Sequence, residues 1–124
     1  MEWQISFKPE NNMLYVRTQG IFNMDSNRAL IKECLEILQG TDCRNCLIDN
    51  SELEFTRIET LEIYSIPALF SELGIPHNLH IAEVFSKKHA KDFHFLETVC
   101  YNHGYKVFVF SEMELALEWL NKKV

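Results

Sequence analysis

The feature that most constrains the fold lies in the last third of the chain. A short apolar run, Lys106-Val107-Phe108-Val109-Phe110, is followed at once by Ser111-Glu112-Met113-Glu114-Leu115-Ala116-Leu117-Glu118-Trp119-Leu120. Five apolar-rich residues read as a buried strand. The next ten read as an amphipathic helix, with Ser111 as N-cap and Glu114 closing a capping box. A strand leading directly into a helix, repeated along a chain, specifies an α/β fold.

The rest of the sequence supplies the repeats. Trp3 to Lys8 alternates apolar and polar residues, and Pro9-Glu10-Asn11-Asn12 has turn chemistry. Met13 to Gln19 alternates again. Leu14, Val16 and Thr18 fall on one face; Tyr15, Arg17 and Gln19 fall on the other. The two runs predict an antiparallel hairpin ending at Gly20. Asp25 or Ser26 is placed to cap a first helix, whose stripe is Ile31, Cys34, Leu35 and Leu38, with Gly40 at its end. Cys46-Leu47-Ile48-Asp49 reads as a short strand. Thr56-Arg57-Ile58-Glu59 reads as a second capping box. Pro67 interrupts the helix that follows, predicting a kink or two shorter helices that stop at Gly74. Leu79 to Phe85 is the next strand. A third helix starts near Ser86 or Lys87, buries Ala90, Phe93, Leu96 and Cys100, and stops at Gly104.

The order predicts one domain over residues 1–124. It is a five-stranded mixed sheet made of a hairpin, three αβ units and a C-terminal helix. Strands reached through helices run parallel, with right-handed crossovers. If each strand joins beside the last, all helices fall on one face and the other stays less covered.

Composition narrows the function. With 12 Lys plus Arg against 18 Asp plus Glu, the net charge is −6. That disfavours nucleic acid and stable association with an anionic membrane, because both need phosphate neutralised. No apolar run approaches the length of a membrane span, and no signal peptide is visible, so a cytoplasmic location is expected. In that compartment Cys34, Cys43, Cys46 and Cys100 read as reduced thiols. Cys43 and Cys46 have C-x-x-C spacing but precede a strand, where no helix N-terminus stabilises a thiolate. His77 and His80 do not complete a metal set, and no metal or cofactor is expected. No acid, base and nucleophile form a recognisable constellation, so no catalytic residue is assigned and no enzyme is expected.

The hairpin, the αβ steps and the final helix resemble the SpoIIAA-like (STAS) fold of anti-sigma factor antagonists. Leu47-Ile48-Asp49 with its polar loop resembles the third strand of that family. Phe95-Leu96-Glu97-Thr98-Val99 through Gly104-Tyr105-Lys106-Val107, then Phe110-Ser111-Glu112 and Ala116-Leu117-Glu118-Trp119-Leu120, resemble bacterial SpoIIAA-like proteins. The resemblance implies a non-catalytic regulatory or protein-interaction module, working as a homodimer or on another regulatory protein. Switched members place a phosphorylatable serine in a Ser-Gly turn at the start of the second helix. Here that stretch reads Phe55-Thr56-Arg57-Ile58, and only Thr56 offers a hydroxyl.

Thr56 and Asp49 are therefore the candidate switch or ligand positions. Each also has an ordinary role, Thr56 as an N-cap and Asp49 as the cap of a loop. Lys87-Lys88-His89-Ala90-Lys91 reads as a solvated helix turn. Tyr15, Arg17 and Phe108 are the candidate interface on the less covered sheet face. The alternative is a carrier of a small apolar ligand or lipid, of CRAL-TRIO-like type, which requires an enclosed apolar cavity of roughly 300 Å³ or more.

Overall fold

The computed structural model describes residues 1–56 and 61–122. Five strands, β1 (Glu2–Lys8), β2 (Met13–Ile21), β3 (Asn45–Glu54), β4 (His80–Phe85) and β5 (Lys106–Phe110), form one sheet in the order β1-β2-β3-β4-β5. β1 pairs antiparallel with β2, and each later pair is parallel. This is the expected mixed sheet. The hairpin closes through a 3-10 turn, Pro9–Asn11.

The helices are α1 (Met24–Leu38), α2 (Ile66–Leu73), α3 (Ala90–Asn102) and α4 (Met113–Asn121). Three helix starts differ from expectation. Asn23, not Asp25 or Ser26, caps α1: its Oδ1 accepts the Ser26 N–H at 2.9 Å. Asp25 sits instead in the first turn, where the helix dipole favours a negative charge. α3 is preceded by a 3-10 turn at Lys87–His89. α4 is capped at Glu112 and Ser111 lies before it, so the Ser111–Glu114 box does not form. Around Pro67 the chain makes two helical pieces. One ends at Ile63, a turn follows at Tyr64 and Ser65, and α2 restarts with the proline in its first turn, where its missing N–H costs no helical bond. Gly74, at φ 78°, closes α2 in the left-handed conformation that glycine adopts without strain. The Thr56 box extends onto residues 57–60, outside the described residues.

The chain builds two cores. The right-handed crossovers place α1, α2 and α3 on one face, where Leu30, Phe70 and Phe93 pack on Leu14, Val16, Cys46, Ile81 and Val107. The expectation that α4 joins them is wrong. Ala116 and Leu120 of α4 pack on Met13, Leu47, Ala82 and Val84, residues of opposite parity on their strands. α4 is not a crossover between two of the described strands, so it is not held to the crossover side, and its apolar stripe covers the apolar half of the second face. Only the hairpin half of that face stays open.

β3 departs most from its expected length. It runs past Asp49 to Glu54, pairing with β4 as far as Asn50 and with β2 as far as Glu54. Between the pairs Arg17↔Asp49 and Gln19↔Glu52, β3 carries one residue more than β2, so Asn50 and Ser51 stand opposite Thr18. This is a β-bulge. It reverses the alternation, so that Leu53, like Cys46, faces the helix-covered core.

Candidate functional site

The open half of the second face is the first candidate. β1 contributes Gln4 and Ser6, β2 contributes Tyr15 and Arg17, and β3 contributes Leu47 and Asp49; with Met113 of α4 they line a shallow groove of about 420 Å³. Three of the residues named from sequence thus meet. Arg17 and Asp49 are direct cross-strand neighbours. Asp49 Oδ1 accepts the Ser51 N–H at 3.0 Å, which steadies the bulge. Lys8 Nζ stands 5.7 Å from the centroid of the Tyr15 ring. The groove therefore offers an aromatic ring, a guanidinium and a carboxylate on the sheet, with the Lys8 ammonium near the ring.

Phe108 does not belong to this surface. It lies on β5, half-buried beneath Trp119, with ring centroids 4.9 Å apart. Asp49 and Thr56 are also apart. Asp49 is mid-strand, while Thr56 is exposed beyond the carboxyl end of β3.

That carboxyl end carries a second cluster. Phe55 stacks on Phe22 at 5.1 Å and meets Phe93 edge-on at 5.4 Å and His89 at 5.5 Å. Glu54 binds Lys88, and its Oε2 lies 2.8 Å from His89 Nε2. Hydrogen bonds from Lys88 and then His89 hold the Glu54 carboxyl below its ordinary range. The basic run is thus more than a solvated turn: two of its residues tie the start of α3 to the end of β3, beside Thr56.

A third feature lies inside the main core. Thr18, Asn50 and Glu83 sit side by side on β2, β3 and β4, all buried. Thr18 donates its hydroxyl to Asn50 Oδ1, and Asn50 Nδ2 donates to Glu83 Oε1 at 2.6 Å. Burial pushes the Glu83 carboxyl up to about 7, against the opposing hydrogen bond from Asn50. Asn50 and Glu83 border a largely apolar cavity of about 80 Å³ between the sheet and the helices, with Cys34, Cys46, Ile66 and Phe70 among its walls.

The cysteines are core residues. Cys43 and Cys46 are both buried, and burial raises the Cys46 thiol well above its ordinary value and the Cys34 thiol to about 12. His77 stacks on Tyr105 at 4.2 Å, whereas His80 meets Trp119 at 5.8 Å, so the two histidines serve different neighbours.

Sequence reasoning passed over the buried polar triple and the Glu54 cluster. The available signal was Glu83 itself, a lone carboxylate inside the apolar run His80-Ile81-Ala82-Glu83-Val84-Phe85. A charge at that position of a covered strand requires a partner.

No family model and no curated protein matches the sequence. A crystal structure does: an anti-sigma factor antagonist from Mycobacterium paratuberculosis aligns over 98% of this chain and 96% of that one, with a TM-score of 0.57 at 14% identity. The fold is that of an anti-sigma factor antagonist. The SpoIIAA-like architecture expected from the hairpin and the αβ steps is therefore present along nearly the whole chain. Among the described residues no helix is long and apolar enough to cross a membrane.

Proposed function

We propose that this chain is a regulatory module that acts in the cytoplasm by binding a protein and catalyses no reaction. The observation that carries this reading is the likeness to an anti-sigma factor antagonist over 98% of the chain. The open groove gives the reading a surface. Tyr15 and Arg17 are residue types enriched at protein interfaces, and the sheet beneath them holds them in place. The partner is a second copy of the chain or another regulatory protein. Thr56 occupies the switch position without the Ser-Gly turn, so regulation by an orthodox phosphoserine is not part of the reading. Thr56 lies two residues beyond Glu54, which binds Lys88 and His89, and is in this reading the site where an added phosphate would meet basic side chains.

The carrier reading has weaker support. The core cavity of about 80 Å³ is well short of the roughly 300 Å³ at which small-molecule pockets begin.

The test uses purified wild type and the variant Arg17→Glu, each titrated by calorimetry against kinase-like regulatory proteins encoded beside the gene. Arg17 is exposed, so the variant should melt with the wild type. Binding by the wild type and its loss in the variant support the groove. Equal binding by both moves the interface elsewhere. A wild type that binds none of these proteins and stays monomeric at micromolar concentration rejects the reading.

A further inference from the structure

The two edges of the sheet are not equally protected. On β5, the Val109 N–H donates to Glu97 Oε2 of α3 at 2.8 Å, so a helix side chain occupies a backbone donor in the middle of that strand. Trp119 of α4 packs over Phe108 and Phe110 on the same strand. β1 is the other outer strand. It is seven residues long and regular, and it alternates exposed Glu2, Gln4, Ser6 and Lys8 with half-buried Trp3, Ile5 and Phe7. Its apolar side chains pack on the helix-covered core, and at one end Trp3 Nε1 donates to Glu33 Oε2 of α1 at 2.7 Å. An edge of this length, carrying three aromatic or branched side chains, is a template for a further strand.

The sequence of β1 is complementary to itself when reversed. About a two-fold axis through Ile5 and normal to the sheet, Glu2 stands opposite Lys8 and Lys8 opposite Glu2. Trp3 stands opposite Phe7, Gln4 opposite Ser6, and Ile5 opposite Ile5. Antiparallel neighbours point to the same face, so every like-natured pair falls on one side. The apolar pairs lie on the helix-covered face. The polar pairs lie on the open face, with a charge pair at each end. A register slipped by one residue would set Glu2 beside Phe7 and place polar against apolar along the whole strand.

We propose that two copies of the chain join edge to edge through β1, in this register, to make one continuous ten-stranded sheet with a two-fold axis at Ile5. The proposal rests on the part of the preceding reading that takes a second copy as partner. It leaves both grooves open, because the seam runs along the edge and not across Tyr15 and Arg17. The two grooves then lie side by side on one face, related by the same axis.

The experiment is light scattering after size exclusion at micromolar concentration, on wild type, Glu2→Lys, Lys8→Glu and the doubly exchanged chain, with circular dichroism to show that each is folded. Wild type should run at twice 14.6 kDa. Either single reversal sets like charges at both ends and should weaken the dimer about tenfold. The double exchange, and an equimolar mixture of the two single variants, should restore it, since opposite charges face each other again. As a register check, a mixture of Gln4→Cys and Ser6→Cys chains should form a disulfide heterodimer on mild oxidation. A folded wild type that stays at 14.6 kDa overturns the proposal and removes a second copy as partner. A dimer insensitive to both single reversals overturns the β1 seam alone and leaves a second copy on another surface.

Discussion

Asn50 Nδ2 donates to Glu83 Oε1 at 2.6 Å in the middle of the sheet, between two parallel strands and under three helices. The amide also accepts the Thr18 hydroxyl, so its donor and acceptor ends are committed to opposite neighbours. Such a chain leaves the Asn50 side chain one useful orientation. It also fixes where β3 must stand between β2 and β4, since a one-residue slip would part all three groups.

The pH dependence of stability should carry the sign of a raised carboxyl. Glu83 titrates at 4.5 when unperturbed and at about 7 in the fold. Between those values the native state binds a proton that the unfolded chain lacks. The unfolding free energy therefore falls as pH rises through this window, by about 3 kcal/mol, and levels off above it. Urea denaturation of wild type at pH 5 and pH 8 should show the loss, and Glu83→Gln should flatten it. A Gln variant with the wild-type slope would assign the dependence to other groups. Glu54 acts in a lower window. Its carboxyl is held below 4.5 by Lys88 and His89, so that contribution is present above 4.5 and is lost as pH falls through the lowered value.

Asn50→Ala removes both bonds at once. It leaves the Glu83 carboxyl and the Thr18 hydroxyl buried without this partner, and should cost about 2–4 kcal/mol in chemical denaturation. Thr18→Val retains the Asn50–Glu83 bond and should cost less, about 1 kcal/mol. Equal losses from the two variants would mean that Asn50 is not the centre of the network.

Trp119 covers the second face near the β5 edge, with its ring 4.9 Å from Phe108 and 6.0 Å from Phe110. Trp119→Ala should destabilise by about 3 kcal/mol, and Trp119→Phe by less than half of that. The midpoint of urea unfolding checks both. A neutral Trp119→Ala would show that α4 contributes little to holding this face dry.

Glu97→Ala frees the Val109 N–H on the outer strand. Its amide should then exchange with solvent at least tenfold faster, with global stability lowered by about 1 kcal/mol. Hydrogen exchange measured by NMR separates the local from the global change. Unaltered protection at Val109 would show that the carboxylate does not guard this edge.

Most of the fold was legible because it rests on local period and composition. Alternation in Trp3–Lys8 and Met13–Gln19 located the hairpin and assigned Tyr15 and Arg17 to one face, where they lie. Gly74 and Gly104 marked helix ends. The side taken by α4 was not legible, because Leu117 and Leu120 give a stripe without naming the sheet face that receives it. The length of β3 was missed because Ser51, Glu52 and Glu54 are polar, and the strand continues there only through pairing with distant Gln19–Ile21. Tyr15, Arg17 and Asp49 were found separately and joined by register. Phe108 was misplaced because its position on β5 says nothing of the tryptophan above it. Glu83 escaped notice because a strand pattern reads one polar residue as noise, whereas a buried carboxyl is a constraint.

The separate placement of α4 has a consequence for the chain as it is made. Met13, Leu47, Ala82, Val84 and Phe110 all leave the ribosome before residues 113–121 emerge to cover them. During that interval the hairpin and all three crossovers are available to fold, yet one side of the sheet presents bare apolar rows to its surroundings. The growing polypeptide is thus most prone to stray association just before its last described helix arrives. A chaperone that recognises extended apolar strands would find its target in this brief stage of synthesis and lose it once α4 docks.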